Sequence, residues 1–251
     1  MNDVALNRPR ATPTGAVPPL QKIAGFDSTG YALLNGRVVW AGAASCADHP
    51  RNLWRPWQAS PCSVHAPRLQ RGALACLAEL NGPARSGLLR WLQPQPSDEP
   101  WPLWLQLAAP RLDAAAQALQ TNDLKAFEHA ALRLLGLGPG LTPSGDDFIG
   151  AIFFALHQAP RARWNAELPA VRSRIRKAAS SATNLISAAL LDDLLDGHSY
   201  RPLHELLAAL DSEEPSRTAA AAQALLRVGA SSGADMLSGV LLALSTWQDA
   251  F

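Results

Sequence analysis

The chain has 251 residues, 48% hydrophobic and 17% charged. That excludes a disordered polymer and leaves ample length for a packed core. A net charge of +1 gives no bulk electrostatic case for a nucleic-acid or membrane-surface partner. Three cysteines, Cys46, Cys62 and Cys76, without a Cys-x-x-Cys spacing, suit reduced thiols in a cytoplasmic protein rather than a disulfide framework.

Residues 1–19 carry prolines at 9, 13, 18 and 19 and no apolar centre, so they read as a disordered tail and not as a signal peptide. Residues 20–110 read as a small β-rich N-terminal domain. Its surest element is Tyr31 to Trp40, two apolar runs around Asn35-Gly36, the favoured two-residue hairpin turn. Further short apolar pieces at Ser63–His65, Gly87–Trp91 and Leu103–Leu107 suggest more strands, with one helix at Arg71–Leu80. Trp54, Trp57, Trp91, Trp101 and Trp104 fall in this part and suit burial or an interface. From Arg111 the spacing turns helical, with helices expected over 112–120, 124–135, 148–158, 164–179, 181–195, 202–210, 216–228 and 234–247. The fold class is therefore α+β: a β-rich N-terminal domain followed by a mainly helical domain over 111–251. The basic stretch from Arg161 to Lys177 reads as one solvated helix face.

The stretch Gly136 to Asp147 holds four glycines, two prolines and two adjacent acids between two helical segments. Thr142-Pro143 reads as an N-cap followed by proline at the first helical position, or Ser144 to Asp147 as a capping box. Either way a helix N-terminus opens beside a glycine-rich loop, which suits an anion. The glycine spacing is that of a phosphate loop up to Gly145, but Asp146 stands where a lysine would neutralise phosphate. The ligand is then something other than bare phosphate, or a divalent cation such as Mg²⁺ sits between Asp146, Asp147 and the ligand. The alternative is an ordinary helix start whose acids complement the helix dipole.

A second start echoes the first. Ser144-Gly145-Asp146-Asp147 and Ser232-Gly233-Ala234-Asp235 each open a nearly all-apolar helix with an early glycine, Gly150 or Gly239. Helices apolar all round must be buried, and their N–H groups need partners. Ser180, Thr183, Asn184 and Ser187 share one side of a helix and could line a polar pocket. No His-x-x-x-His or mixed His/Cys cluster suggests zinc, no Gly-x-Ser-x-Gly elbow is present, and no strand precedes Gly136 to make a dinucleotide fingerprint. His129, His157, His198 and His204 are scattered and read as structural.

The residues Gly138 to Asp147, then Thr183 with Ile186-Ser187, then Ser231 to Gly239 resemble the AllH-type subunit of bacterial oxamate carbamoyltransferase. That family was long known only as a domain of unknown function. The resemblance spans most of 111–248, and more loosely the hairpin. It implies a role in allantoin degradation, in late purine catabolism, with two companion protein subunits. There oxalurate and phosphate are interconverted with oxamate and carbamoyl phosphate. The expected site has Asp146, Asp147 and Asp235 as catalytic or cation-holding acids. Gly138, Gly140, Thr142, Ser144, Gly145, Thr183, Ser187, Ser231, Ser232 and Gly233 would bind a small carboxylate, phosphate or carbamoyl phosphate. Two rival readings are a non-catalytic assembly subunit and a Mg²⁺-dependent hydrolase using the three aspartates.

Overall fold

A computed structural model describes residues 20–25, 29–42, 48–53, 56–59, 64–80, 86–95 and 99–248. The readings made for the 1–19 tail, Cys46, Trp54, Cys62 and Ser63 lie outside the described residues. Three antiparallel strands, β1 (Gln21–Gly25), β2 (Thr29–Leu34) and β3 (Arg37–Gly42), form one sheet in that order. Asn35 and Gly36 close the β2–β3 hairpin with φ of 52° and 74°, the double left-handed geometry that this residue pair tolerates. The register pairs Tyr31 with Trp40 and Leu34 with Arg37.

Ten α-helices follow among the described residues: α1 (Ala66–Glu79), α2 (Leu89–Leu92), α3 (Leu103–Gln120), α4 (Leu124–Leu134), α5 (Ser144–Gln158), α6 (Leu168–Ala182), α7 (Leu185–Leu195), α8 (Arg201–Ser212), α9 (Pro215–Leu226) and α10 (Ser232–Ser245). Two strand expectations are corrected. Leu103–Leu107 opens α3, because Leu105, Ala108, Leu112, Ala115 and Leu119 recur at helical spacing and are buried, while Leu103 and Leu107 point out. Leu89–Trp91 lies in the single-turn α2. Helix α1 begins earlier than expected, with Pro67 in its first turn, where the missing N–H costs nothing. The expected single helix over 181–195 instead breaks at Thr183, which ends α6, and Asn184, whose side chain accepts from the Ile186 and Ser187 N–H groups and caps α7.

Helices α5 and α10 form the centre. Every residue from Ser144 to Leu156 and from Ser232 to Leu244 is buried. They touch closely because Gly239 lacks a side chain: a Cβ there would lie 2.3 Å from the Phe148 carbonyl oxygen. The sheet packs Val38 and Trp40 onto Ile186 and Leu190 of α7, with Leu141 of the glycine-rich loop at the same contact. Arg51 fastens it further through a buried ion pair with Asp193 and a 3.2 Å bond to the Val38 carbonyl. Trp91, Trp101 and Trp104 lie half-buried against the helical core.

The basic stretch splits in two. Arg174 pairs with Glu128 of α4, and Arg176 with Asp192 and Asp196 near the end of α7, so α6 shows a solvated, self-neutralised face. Arg161 is buried instead. Its guanidinium donates to the carbonyls of Leu119, Ala243 and Thr246, gathering the C-terminal ends of α3 and α10, and stacks on Trp164. The partial negative charge of two helix C-termini suits a cation there. Burial lowers its pKa to about 10.

Candidate functional site at two helix starts

Helices α5 and α10 begin side by side. Each starts after a turn from the preceding helix, and each second residue is a glycine tucked under that helix. The Gly145 N–H donates to the Leu137 carbonyl at 2.8 Å, and the Gly233 N–H to the Val228 carbonyl at 2.9 Å. A Cβ at Gly145 would lie 2.0 Å from the Leu134 oxygen, and one at Gly233 1.9 Å from the Leu225 oxygen. Neither expected cap forms as drawn. Pro143 occupies the position before α5 and its carbonyl accepts from the Asp146 and Asp147 N–H groups. Thr142 turns away to bond Ser232 at 2.8 Å between hydroxyls.

The two Ser-Gly-x-Asp segments face each other crosswise. Ser232 and Thr142 approach the Asp147 carboxylate, and Ser144 and Ser231 approach that of Asp235. The second Asp235 oxygen, Oδ1, accepts the Leu88 N–H at 2.7 Å. Gly87, at φ +54°, makes that approach feasible: a Cβ on it would lie 2.1 Å from the same oxygen. This contribution from the turn before α2 has no motif in the sequence beyond a single turn glycine. Asp146, Asp147 and Asp235 are 1%, 4% and 0% exposed. Burial first, then the facing Asp235 carboxylate, holds Asp147 well above the ordinary range, against the hydroxyls of Ser232 and Thr142. Burial likewise pushes Asp235 up to about 6, offset in part by the Leu88 N–H, Ser144 and Ser231. Two carboxylates buried together resist joint ionisation.

Asp146 points elsewhere. Its Oδ1 accepts the Gly136 N–H at 2.8 Å, and its Oδ2 accepts the hydroxyls of Thr183 at 2.6 Å and Ser187 at 2.7 Å. Thr183 and Ser187 therefore meet Asp146, on the α6–α7 side of the first turn of α5, and not the Asp147–Asp235 pair. Asn184 adds a 2.8 Å bond to the Leu141 carbonyl, tying the loop to the same turn. Gly138 and Gly140 hold left-handed φ of 125° and 90°; Gly140 stands exposed at the loop tip with nothing near its missing Cβ. Both oxygens of Asp146 are already bonded, so the donor set for a Mg²⁺ ion on Asp146 and Asp147 is poor. Among the described residues no group of three or more His, Cys, Asp or Glu side chains is arranged to hold a metal.

A separate cleft of about 540 Å³ lies at the other end of α5. His157, His198 and His204 converge on it with Trp57, although they are far apart in sequence. His204 packs between Trp57 and Phe154. Burial, then His198, lowers its pKa to about 4, so it is neutral at physiological pH.

An α+β protein whose two central helices start together on a buried acid pair is the class that fold and site define. Residues 134–244, from the end of α4 almost to the end of α10, match the family model described as oxamate carbamoyltransferase subunit AllH. Over that span the chain is AllH-like, as its three motifs imply. The family is that of a subunit, which implies companion subunits. No solved structure matches. No described helix is long and apolar enough to cross a membrane.

Proposed function

We propose that the chain is a subunit of a carbamoyltransferase of the oxamate carbamoyltransferase type, and that it holds the small substrate at the paired starts of α5 and α10. The observation that supports this reading most is the crosswise meeting of Ser144 and Asp147 with Ser232 and Asp235, from segments some ninety residues apart, inside the span that matches AllH. Two helix N-termini together bring about one unit of positive charge. The Gly145 and Gly233 N–H groups are taken by carbonyls, so the N–H groups of Ser144 and Ser232, one residue earlier, would meet the anionic end of a carboxylate or carbamoyl phosphate. Thr142, Ser231 and the Gly138–Gly140 loop would border the same ligand. Asp146, with Thr183 and Ser187, would hold the loop in place rather than touch the ligand. The saturation of Asp146 favours this reading over a Mg²⁺-dependent hydrolase.

The test is carbamoyl phosphate formation from oxalurate and phosphate by the purified chain, alone and assembled with its companion subunits. The assembled complex should turn over. The chain alone should stay far below about 1 s⁻¹, the lower end for enzymes. Full turnover by the single chain would overturn the subunit reading, and a complete complex inert toward oxalurate would overturn the reaction.

A further inference from the structure

Three side-chain oxygens at the junction of α5 and α10, Ser144 Oγ, Asp147 Oδ2 and Asp235 Oδ2, are buried without a well-aligned hydrogen bond, although Ser144 approaches the Asp235 carboxylate and Ser232 that of Asp147. Ser144 and Asp235 are both 0% exposed. The polar atoms around them are occupied: Asp235 Oδ1 by Leu88, Thr142 by Ser232, Asp146 Oδ1 by Gly136, and Asp146 Oδ2 by Thr183 and Ser187. An orphaned buried acceptor costs about 1–3 kcal/mol, more when charged, and three in one place call for a common partner.

What is missing there is donors. Buried together, Asp147 and Asp235 resist carrying more than about one negative charge between them, and the two helix N-termini offset about one. A divalent ion would overshoot that balance. A nitrogen bearing two N–H groups would serve both free carboxylate oxygens at once, and the Ser144 hydroxyl could then donate to the adjoining carbonyl oxygen. A primary amide presents that set on one planar group. Gly138 packs directly onto this junction: a Cβ on it would stand 2.6 Å from Ser144 N and 3.1 Å from Ser144 Oγ.

The geometry points to a subsite for an amino nitrogen, of a primary amide or of ammonium, between Asp147, Asp235 and Ser144. This rests on the substrate reading above and fixes which end of the substrate enters first. A buried site shaped for an N–H group rejects an isostere that lacks it far more strongly than an apolar pocket rejects a methylene.

The experiment compares oxamate with pyruvate, which has a methyl group where oxamate has its amino group, by calorimetry on the full chain within the assembled complex. Oxamate should bind at least about tenfold more tightly than pyruvate. Asp147→Asn and Asp235→Asn should bring that ratio close to one. Ser144→Ala, a milder change that keeps the fold, should lower it in part. Ammonium chloride should displace oxamate while potassium and tetramethylammonium chloride do not; displacement by ammonium without amide preference would assign the subsite to free ammonium. Equal binding of oxamate and pyruvate, with no effect of ammonium, overturns the subsite and leaves the substrate reading standing. Binding of neither acid overturns the substrate reading, and the subsite then stands or falls on whether ammonium, but not potassium, stabilises the wild-type chain and not Asp235→Asn.

Discussion

The starts of α5 and α10 share their backbone plan and differ in how they are anchored. In both, a glycine slides under the end of the preceding helix and an aspartate three residues after a serine turns inward. In α5 the residue before that aspartate is Asp146, which binds the glycine-rich loop to α6 and α7. In α10 the equivalent residue is Ala234, buried and apolar. The comparison teaches that glycine placement shapes such a start, while fastening it to the rest of the molecule is a separate job done by an extra acid.

The hardest test of the shared plan is at the two glycines. Gly145→Ala and Gly233→Ala each force a methyl against a carbonyl oxygen, and each should cost about 3 kcal/mol in urea unfolding. A small cost at one site only would break the equivalence. Next comes the difference. Asp146→Ala strands the Gly136 N–H and two hydroxyls, and should cost about 2 kcal/mol. Thr183→Ala and Ser187→Ala should each lose less, and the combination with Asp146→Ala should be less than additive.

A third test concerns pH. Both inward aspartates have folded pKa values raised above the unfolded 3.8. For a group raised on folding, the stabilisation is fully present below the unfolded pKa and is lost as pH rises through the folded one. Stability should therefore fall between pH 4 and about 6 as Asp235 ionises. Its Asn variant should lose that slope and exceed wild type at neutral pH by on the order of 1–2 kcal/mol. Thermal melts across that range check it; a slope unchanged in Asp235→Asn would remove the residue from the explanation. The smallest effect separates the two serines. Ser232→Ala breaks a bond with Thr142 and should cost about 1 kcal/mol, whereas Ser144→Ala removes only a poorly aligned approach to Asp235 and should cost less.

Much of this was legible in the chain. Asn35-Gly36 announced its hairpin, and the two Ser-Gly-x-Asp starts announced themselves by repetition. Most helices after Arg111 were readable because their apolar positions recur and their prolines fall in first turns, as in α8 and α9; the helix expected from Trp164 instead starts at Leu168, with Pro169 in its first turn. Leu103–Leu107 misled because an alternating run of five residues fits a strand until its continuation to Leu112 and Leu119 is weighed. The division of labour between Asp146 and Asp147 was readable in principle: adjacent helical residues point about 100° apart and so serve different neighbours. The Leu88 N–H and the gathering of three histidines were not, since both depend on tertiary placement that no local spacing records.

Arg161 bears on the order in which this molecule can be made. It ties the far end of α10 to that of α3, and α10 follows every other described helix in the chain. During synthesis the first half of the proposed substrate site, around Ser144 and Asp147, emerges long before its counterpart. Until α10 docks, the apolar flank of α5 is open and the acid at 147 has no mate. A nascent or truncated chain without α10 would thus lack half the site, and Arg161 would be left holding carbonyls of α3 alone.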